Sequence, residues 1–362
     1  MKKILHILGS LNQGGAETYL LRYLQYDREN EHYVLCKYGI TGPLEKEYKK
    51  VAHIITDINF SHILGDYHKF YRFLKDQHID SVWDGTTDIT LIIAKFAGVK
   101  NRYLFYRSSS SCWVKDSFYI RHLYNFILRK LCSLSVTKIL ANSETALKRF
   151  HPNYKKHPER FQVIYNGIST NSISNKNRTE IRELLHIPKD AFIVGHSGRL
   201  DPAKNHPMII DVAISLCKKY EDIHFVLMGL NVDKKYGEQI EQLGLENRIH
   251  LLGYRKDVMD ILKGLDLYYF PSVTEGQPNA LIEALVSGLP FVASNIDPIK
   301  EATPTLLHKN LVDPRDKELN VSAIENFYLN RDRLSSETCA EWAINYFDAN
   351  RQFHLFKTEL ER

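Results

Sequence analysis

Short apolar runs alternate with amphipathic stretches along almost the whole of this chain, and the alternation breaks only once. Lys2–Leu8, His32–Lys37, His53–Asp57, Ile79–Trp83, Arg102–Tyr106, Lys138–Ala141 and Phe161–Tyr165 read as strands. Between them Ala16–Gln25, Pro43–Lys50, Tyr67–Gln77, Thr86–Phe96, Phe118–Leu134 and Glu144–Phe150 read as helices. Residues Ser169 to Arg178, rich in Ser and Asn, read as a linker. The alternation then restarts. Phe192–Ser197, His224–Met228, Ile249–Leu252, Leu267–Phe270 and Phe291–Ser294 are strands. Glu180–Leu185, Pro207–Tyr220, Gly237–Leu243, Val258–Lys263 and Leu319–Asn330 are helices, and Ser335–Leu360 is mostly helical. Strands that alternate with helices build parallel sheets with right-handed crossovers. At 362 residues the chain exceeds one ordinary core. The expected architecture is therefore α/β, with two parallel-sheet domains and a ligand cleft outside the carboxyl ends of their strands.

Composition narrows the function. No apolar run approaches the ~20 residues of a membrane span. The N-terminal run imitates a signal peptide, but it is short, contains His6 and breaks into Asn12-Gln13-Gly14-Gly15, so it reads as a first buried strand. The five cysteines are scattered without a CxxC spacing, which argues against zinc or a disulfide framework and fits a reducing cytosol. Charge is uneven. Residues 1–170 hold 25 Lys+Arg against 15 Asp+Glu, and the remainder holds 23 against 28. A basic first half suits an anionic partner: nucleic acid, an anionic membrane face or a phosphorylated substrate. An ordinary solvated basic surface would read the same.

Four short stretches carry candidate chemistry. In Glu275-Gly276-Gln277-Pro278-Asn279-Ala280-Leu281-Ile282-Glu283 two carboxylates flank a helix start. Pro278 suits the first helical turn, and the helix stops at Gly288 before Pro290. The free N–H groups near Asn279 and Ala280 make an anion or polar-ligand site, and carboxylates at a sheet end accept sugar or ribose hydroxyls. Gly198-Arg199-Leu200-Asp201-Pro202-Ala203-Lys204-Asn205 follows a strand, and its two cations suit a diphosphate or are plain surface charges. Gly14-Gly15-Ala16-Glu17 opens the first helix without forming GxGxxG, as many plain βα turns do; Glu17 there favours the helix dipole. Leu252-Gly253-Tyr254 is a turn against which a base can lie, or an ordinary turn with a surface tyrosine.

Together these stretches, with Asn166-Gly167-Ile168 and Asp257-Val258, resemble the retaining GT-B glycosyltransferases of family 4, in the family's order and over residues 1 to about 295. The resemblance implies GT-B, two Rossmann-like domains facing across a cleft. The expected domains are an acceptor-side 1–168, a nucleotide-sugar-binding 169–344, and a helix 345–362 that crosses back to the first. It implies that Arg199 and Lys204 hold the donor diphosphate and steady the leaving nucleotide, with Gly15 touching the phosphates. Glu283 would take the ribose, and Glu275 the transferred sugar. The backbone of Asn279, Ala280 and Leu281 would meet phosphates and sugar, and Leu252, Gly253 and Tyr254 the base. Arg199, Lys204 and Glu275 are the implied catalytic set; no metal and no cofactor is implied beyond the UDP-sugar co-substrate. Many relatives carry a His where this chain reads Arg107-Ser108. An arginine cannot serve as a general base, so Arg107 is expected to bind the anionic acceptor or the donor or is structural, and Ser108 and Glu17 are expected near the acceptor.

The expected activity is transfer of a hexose (GlcNAc, GalNAc, Gal or Glc) from a UDP-sugar to a lipid-linked or polysaccharide acceptor of a bacterial surface polymer. The expected setting is cytoplasmic, peripheral at the inner face of the plasma membrane. Its partners would be the donor, the acceptor and an anionic membrane surface met by the basic first domain, with no nucleic acid. Two rivals stay open: a nucleotide-sugar epimerase on the same fold, and a catalytically silent module that binds saccharide or a partner.

Overall fold

The computed structural model describes residues 1–12, 14–60, 65–85, 89–107, 127–128, 130–169, 176–331 and 337–362. Ser108, most of the expected helix 118–134 with Arg121 and Arg129, and the middle of the expected linker lie outside these residues. The chain forms two compact units: residues 1–167 together with 349–362, and residues 168–348. Each is built on one parallel sheet.

In the first unit β1 (Lys3–Leu8), β2 (Glu31–Cys36), β3 (His53–Ile55), β4 (Ser81–Asp84), β5 (Asn101–Tyr106), β6 (Lys138–Ala141) and β7 (Phe161–Val163) lie in the order β3-β2-β1-β4-β5-β6-β7. Strand β1 is central, which explains its near-continuous apolar run. Leu5 and Ile7 enter one buried cluster, and Ile4 and Leu8 the other. The period-two alternation thus feeds two cores, one per face. The second core is completed by the far end of the chain: Phe353, Phe356 and Leu360 of the helix Ala349–Leu360 pack with Tyr23, Trp83 and Phe105. His6, which interrupts the first apolar run, is fully buried and meets His32 Nδ1 at 3.0 Å.

In the second unit β8 (Phe192–Ser197), β9 (Ile223–Met228), β10 (Ile249–Leu251), β11 (Leu267–Phe270), β12 (Phe291–Ser294) and β13 (Leu311–Val312) lie in the order β10-β9-β8-β11-β12-β13. The chain builds outward from β8 to one edge, then returns and builds from β11 to the other. The order therefore reverses between β8 and β11, and at such a reversal the loops leaving the two strands diverge to opposite faces and leave a crevice for a ligand.

Several boundaries move from expectation. The helix expected from Gly237 begins at Val232, because Asn231 turns the chain at φ 68° and the helix follows directly. Ser335–Leu360 is two helices, Glu337–Tyr346 and Ala349–Leu360, separated where Ile168 and Asp348 form an isolated parallel bridge. Among the described residues no helix is long and apolar enough to cross a membrane.

Candidate active site

The loop that leaves β8 and the loop that leaves β11 carry the cationic and acidic stretches, so the reversal point brings them together. After β8 the chain passes Gly198, Arg199 and Leu200 and makes a 3-10 turn over Pro202–Lys204. Asp201 caps this turn by accepting the Ala203 N–H at 2.9 Å. Asn205 then adopts the left-handed conformation (φ 58°), which an asparagine tolerates, and the helix His206–Lys219 begins. The Asn205 side chain donates to the carbonyls of Pro271 (3.2 Å) and Pro314 (2.9 Å), and Val273 N–H donates to Ala203 O at 2.9 Å. The cationic loop is thus stitched to the chain that leaves β11.

Across this seam Lys204 Nζ meets Glu275 Oε1 at 2.6 Å, with the Glu275 side chain only 9% exposed. The ammonium also lies 4.9 Å from the centre of the Phe270 ring. A charge-assisted bond of this length, away from bulk water, holds both groups in fixed places. Arg199 is arranged differently. Its side chain is 62% exposed and pairs with Asp201 at 3.2 Å, so a largely covered and an exposed cation share the loop.

The helix Asn279–Val286 starts one residue later than expected, with Pro278 at its N-cap instead of its first turn. The Asn279, Ala280 and Leu281 amides form that first turn, and the Leu281 side chain is buried, leaving only its backbone to a ligand. Glu283 is one turn on and half-buried. Tyr268, the second residue of β11, ties the two acids together. Burial chiefly raises its phenol well above the usual tyrosine range, and the negative charges of Glu283 and Glu275 push the same way against hydrogen bonds with Ser197. Both carboxylates therefore act on one buried ring at the end of the sheet.

The strand ends beside β8 are equally tight. Gly198 N–H donates to Met228 O at 2.8 Å, and Gly229 N–H donates to Gly253 O at 2.7 Å. A Cβ on Gly229 would stand 1.9 Å from the Gly198 oxygen, so only glycine allows this approach. Gly253 has φ 61°, and Tyr254 beyond it is 48% exposed. Leu252, Gly253 and Tyr254 thus continue the row of loops that begins at Gly198.

In the first unit Gly15 is exposed at the start of the helix Gly15–Tyr26. Glu17 folds back until a Cβ on Gly14 would meet its carboxylate at 2.2 Å. Arg107 lies with its guanidinium 4.1 Å from the centre of the Tyr19 ring, and its Nη2 donates to Asn166 Oδ1 at 2.8 Å. Its Nε and Nη1 are buried without a partner. Burial chiefly disfavours the Arg107 charge, while the nearby Tyr19 hydroxyl and Glu17 carboxylate favour it, so Glu17 and Arg107 belong to one electrostatic neighbourhood.

Sequence reasoning passed over His196, Ser197, Asp201 and His206, which build the underside of the cationic loop. The signal was present: His196 and Ser197 are polar residues at the end of a strand buried throughout its length.

Residues 177–345, nearly all of the second unit, match the family model of glycosyl transferases group 1. The second unit is thus similar to the group 1 glycosyltransferases along nearly its whole length. The chain is a transferase enzyme. It is 28% identical over 306 residues to the capsular polysaccharide biosynthesis glycosyltransferase CapH of Staphylococcus aureus, covering 82% of each chain. It is 34% identical over 147 residues to an Escherichia coli UDP-Gal:alpha-D-GlcNAc-diphosphoundecaprenol alpha-1,3-galactosyltransferase, covering 39% of this chain and 38% of that one. Among solved structures, Anabaena HepE in complex with UDP superposes with a TM-score of 0.80 at 20% identity over the full length of both. That likeness shows the fold as GT-B, with two Rossmann-like parallel sheets.

Proposed function

We propose that this enzyme transfers a hexose from a UDP-sugar, with retention of configuration, to a lipid-linked or polysaccharide acceptor of a bacterial surface polymer. The observation that carries this reading is the Lys204–Glu275 pair, fixed at the strand-order reversal of the second unit. A cation suited to a diphosphate and a carboxylate suited to sugar hydroxyls meet in one ion pair of 2.6 Å, which places both chemistries at one point. Lys204 and Arg199 would neutralise charge that grows on the leaving diphosphate, an effect largest in the transition state. The first-turn amides at Ala280 and Leu281 would add N–H donors to phosphate and sugar, whereas the Asn279 N–H, expected to join them, already donates to Gln277 O at 3.0 Å. Glu283 would accept the ribose hydroxyls, and the turn at Leu252, Gly253 and Tyr254 would carry the base. With Glu275 committed to a lysine and to sugar hydroxyls, the acceptor proton would pass to the departing phosphate during front-face attack.

The names of the relatives support the substrate class: CapH is named for capsular polysaccharide, the E. coli enzyme for UDP-galactose and an undecaprenol diphosphate, and HepE is bound to UDP. Gly15 is assigned to a phosphate, and Glu17 and Arg107 to the acceptor. The basic excess of residues 1–170 is assigned to an anionic membrane face at the cytoplasmic side.

The test is a thermal-shift panel of UDP, GDP and ADP with their sugars, followed by turnover of variants. UDP and one UDP-hexose should raise the melting temperature most. Arg199→Ala and Lys204→Met should lower turnover at least about 100-fold, the loss of ~3 kcal/mol of transition-state stabilisation. Stabilisation by GDP or ADP alone would exclude the nucleotide; near-normal turnover in both variants would exclude the diphosphate role.

A further inference from the structure

Beneath the loop that carries Arg199 and Lys204 lie two histidines with no part in the chemistry above. His196 sits one residue before the end of β8, the strand that places Phe192 and Val194 in the core. His206 opens the helix whose Ile209, Ile210 and Ala213 pack into that same core. Both histidines are buried. His196 Nδ1 is 2.9 Å from the Tyr269 carbonyl, and His206 Nε2 is 3.2 Å from the Gly198 carbonyl. A carbonyl only accepts, so these two nitrogens carry the protons, and the tautomers follow from the hydrogen bonds. The other two nitrogens, His196 Nε2 and His206 Nδ1, are buried without a partner. The rings meet edge to face with centroids 5.3 Å apart. A methyl on Gly198 would stand 3.0 Å from His196 Nε2 and 3.3 Å from Lys204 Cγ, so one imidazole and the lysine stem close on the same point under the loop.

We propose that His196 and His206 are positioning residues of the donor site: two neutral imidazoles, each donating to a carbonyl at a strand end, hold the 198–205 loop where Arg199 and Lys204 grip a diphosphate. This rests on the donor reading given above. An apolar pair would fill the space without burying two unpartnered lone pairs, each of which costs stability. What an apolar pair would lack is the bond from His206 to the Gly198 carbonyl, a side-chain tether to the residue before Arg199. The groups that face the pair are Lys204 and Asp201 from the loop and Tyr268 from β11. Burial chiefly keeps both imidazoles below the ordinary histidine range, His196 down to about 3, with His206 and then Lys204 adding to the effect at His196 and Lys204 at His206. The pair therefore stays uncharged at neutral pH and adds no further cation beneath Lys204.

The experiment compares the dissociation constants of UDP and UMP for the wild type, His206→Leu, His206→Gln and Lys204→Met. Glutamine places an Nε2–H where His206 has one; leucine does not. In His206→Leu the advantage of UDP over UMP should shrink about tenfold, the worth of one net hydrogen bond. In His206→Gln it should stay within about threefold of wild type. Equal advantages in the leucine and glutamine variants overturn the proposal, and so does a loss shared equally by UDP and UMP. Should the leucine variant fail to fold, His206→Met takes its place with the same expectation. If Lys204→Met keeps the full UDP advantage, the donor reading itself fails. If Lys204→Met loses it and His206→Leu keeps it, only the positioning role falls.

Discussion

Glu275 shows how much one side chain can tell. In the sequence it is one of two acids around a helix start, as open to a solvated reading as to a catalytic one. In the structure its side chain is almost fully buried against Lys204 at 2.6 Å. A carboxylate bound this closely by a lysine has an oxygen committed to that contact, which favours a clamp over a base. Glu275→Gln keeps an oxygen for the lysine and removes the charge that orients a sugar. It should lower transfer about 100-fold while the UDP dissociation constant moves less than about threefold, since hydrogen bonds to charged groups are worth ~1.5–3 kcal/mol. Equal losses in both, measured by initial rates and calorimetry, would remove Glu275 from the sugar. The residues that were not legible are those whose role depends on depth. Nothing in the letters places Arg107 against the Tyr19 ring, or puts His196 and His206 under one loop, because burial and tautomer are set by elements far apart in sequence.

At the scale of elements, strands and long helices were legible because their apolar periods are strong, and the loops were legible only as positions. The helix Val232–Gln242 was read five residues short. Its first turn is polar, and Gly237 imitates a start, yet a Cβ at Gly237 would meet nothing within 4 Å. Pro278 was placed one residue too deep, since its ring restricts the preceding residue as well as its own. The row of loops over β8, β9 and β10 depends on close backbone approach, which no pattern of hydrophobicity encodes. Gly229 is its tightest point, with a virtual Cβ 1.9 Å from the Gly198 oxygen. Gly229→Ala must push that strand end away and move Arg199 with it. UDP affinity should fall at least about tenfold, with a fall in melting temperature no larger than a single overpacked site brings. Unchanged UDP affinity with a lowered melting temperature would show that the loop row serves the fold alone.

At the scale of the whole molecule, the chain finishes in the unit where it began. The final helix supplies one face of the first core: Phe356 lies 4.7 Å from the Tyr23 ring and 5.5 Å from the Phe105 ring. Lys138 and Glu359 form a buried pair at 2.9 Å, Asn30 donates to Glu361 at 2.7 Å, and Tyr103 donates to the Glu359 carbonyl. Gly167 and Ala349 mark the two ends of this unit's chain, so close that a Cβ on Gly167 would stand 2.4 Å from the Ala349 Cα. The helical pattern of the tail was legible, but its destination was not, because Phe353, Phe356 and Leu360 would suit any apolar face. The consequence is asymmetric. Removing the Phe356 ring leaves a cavity among Tyr23, Trp83 and Phe105, and such truncations cost ~3–5 kcal/mol. Phe356→Ala should therefore weaken hydrogen-exchange protection across β1, β4 and β5 while strands β8 to β12 and the UDP dissociation constant stay as in the wild type. Loss of protection spread evenly over both sheets would mean that the tail stabilises the molecule as one cooperative body, and the division at residues 167 and 349 would then be a division of contacts without a division of stability.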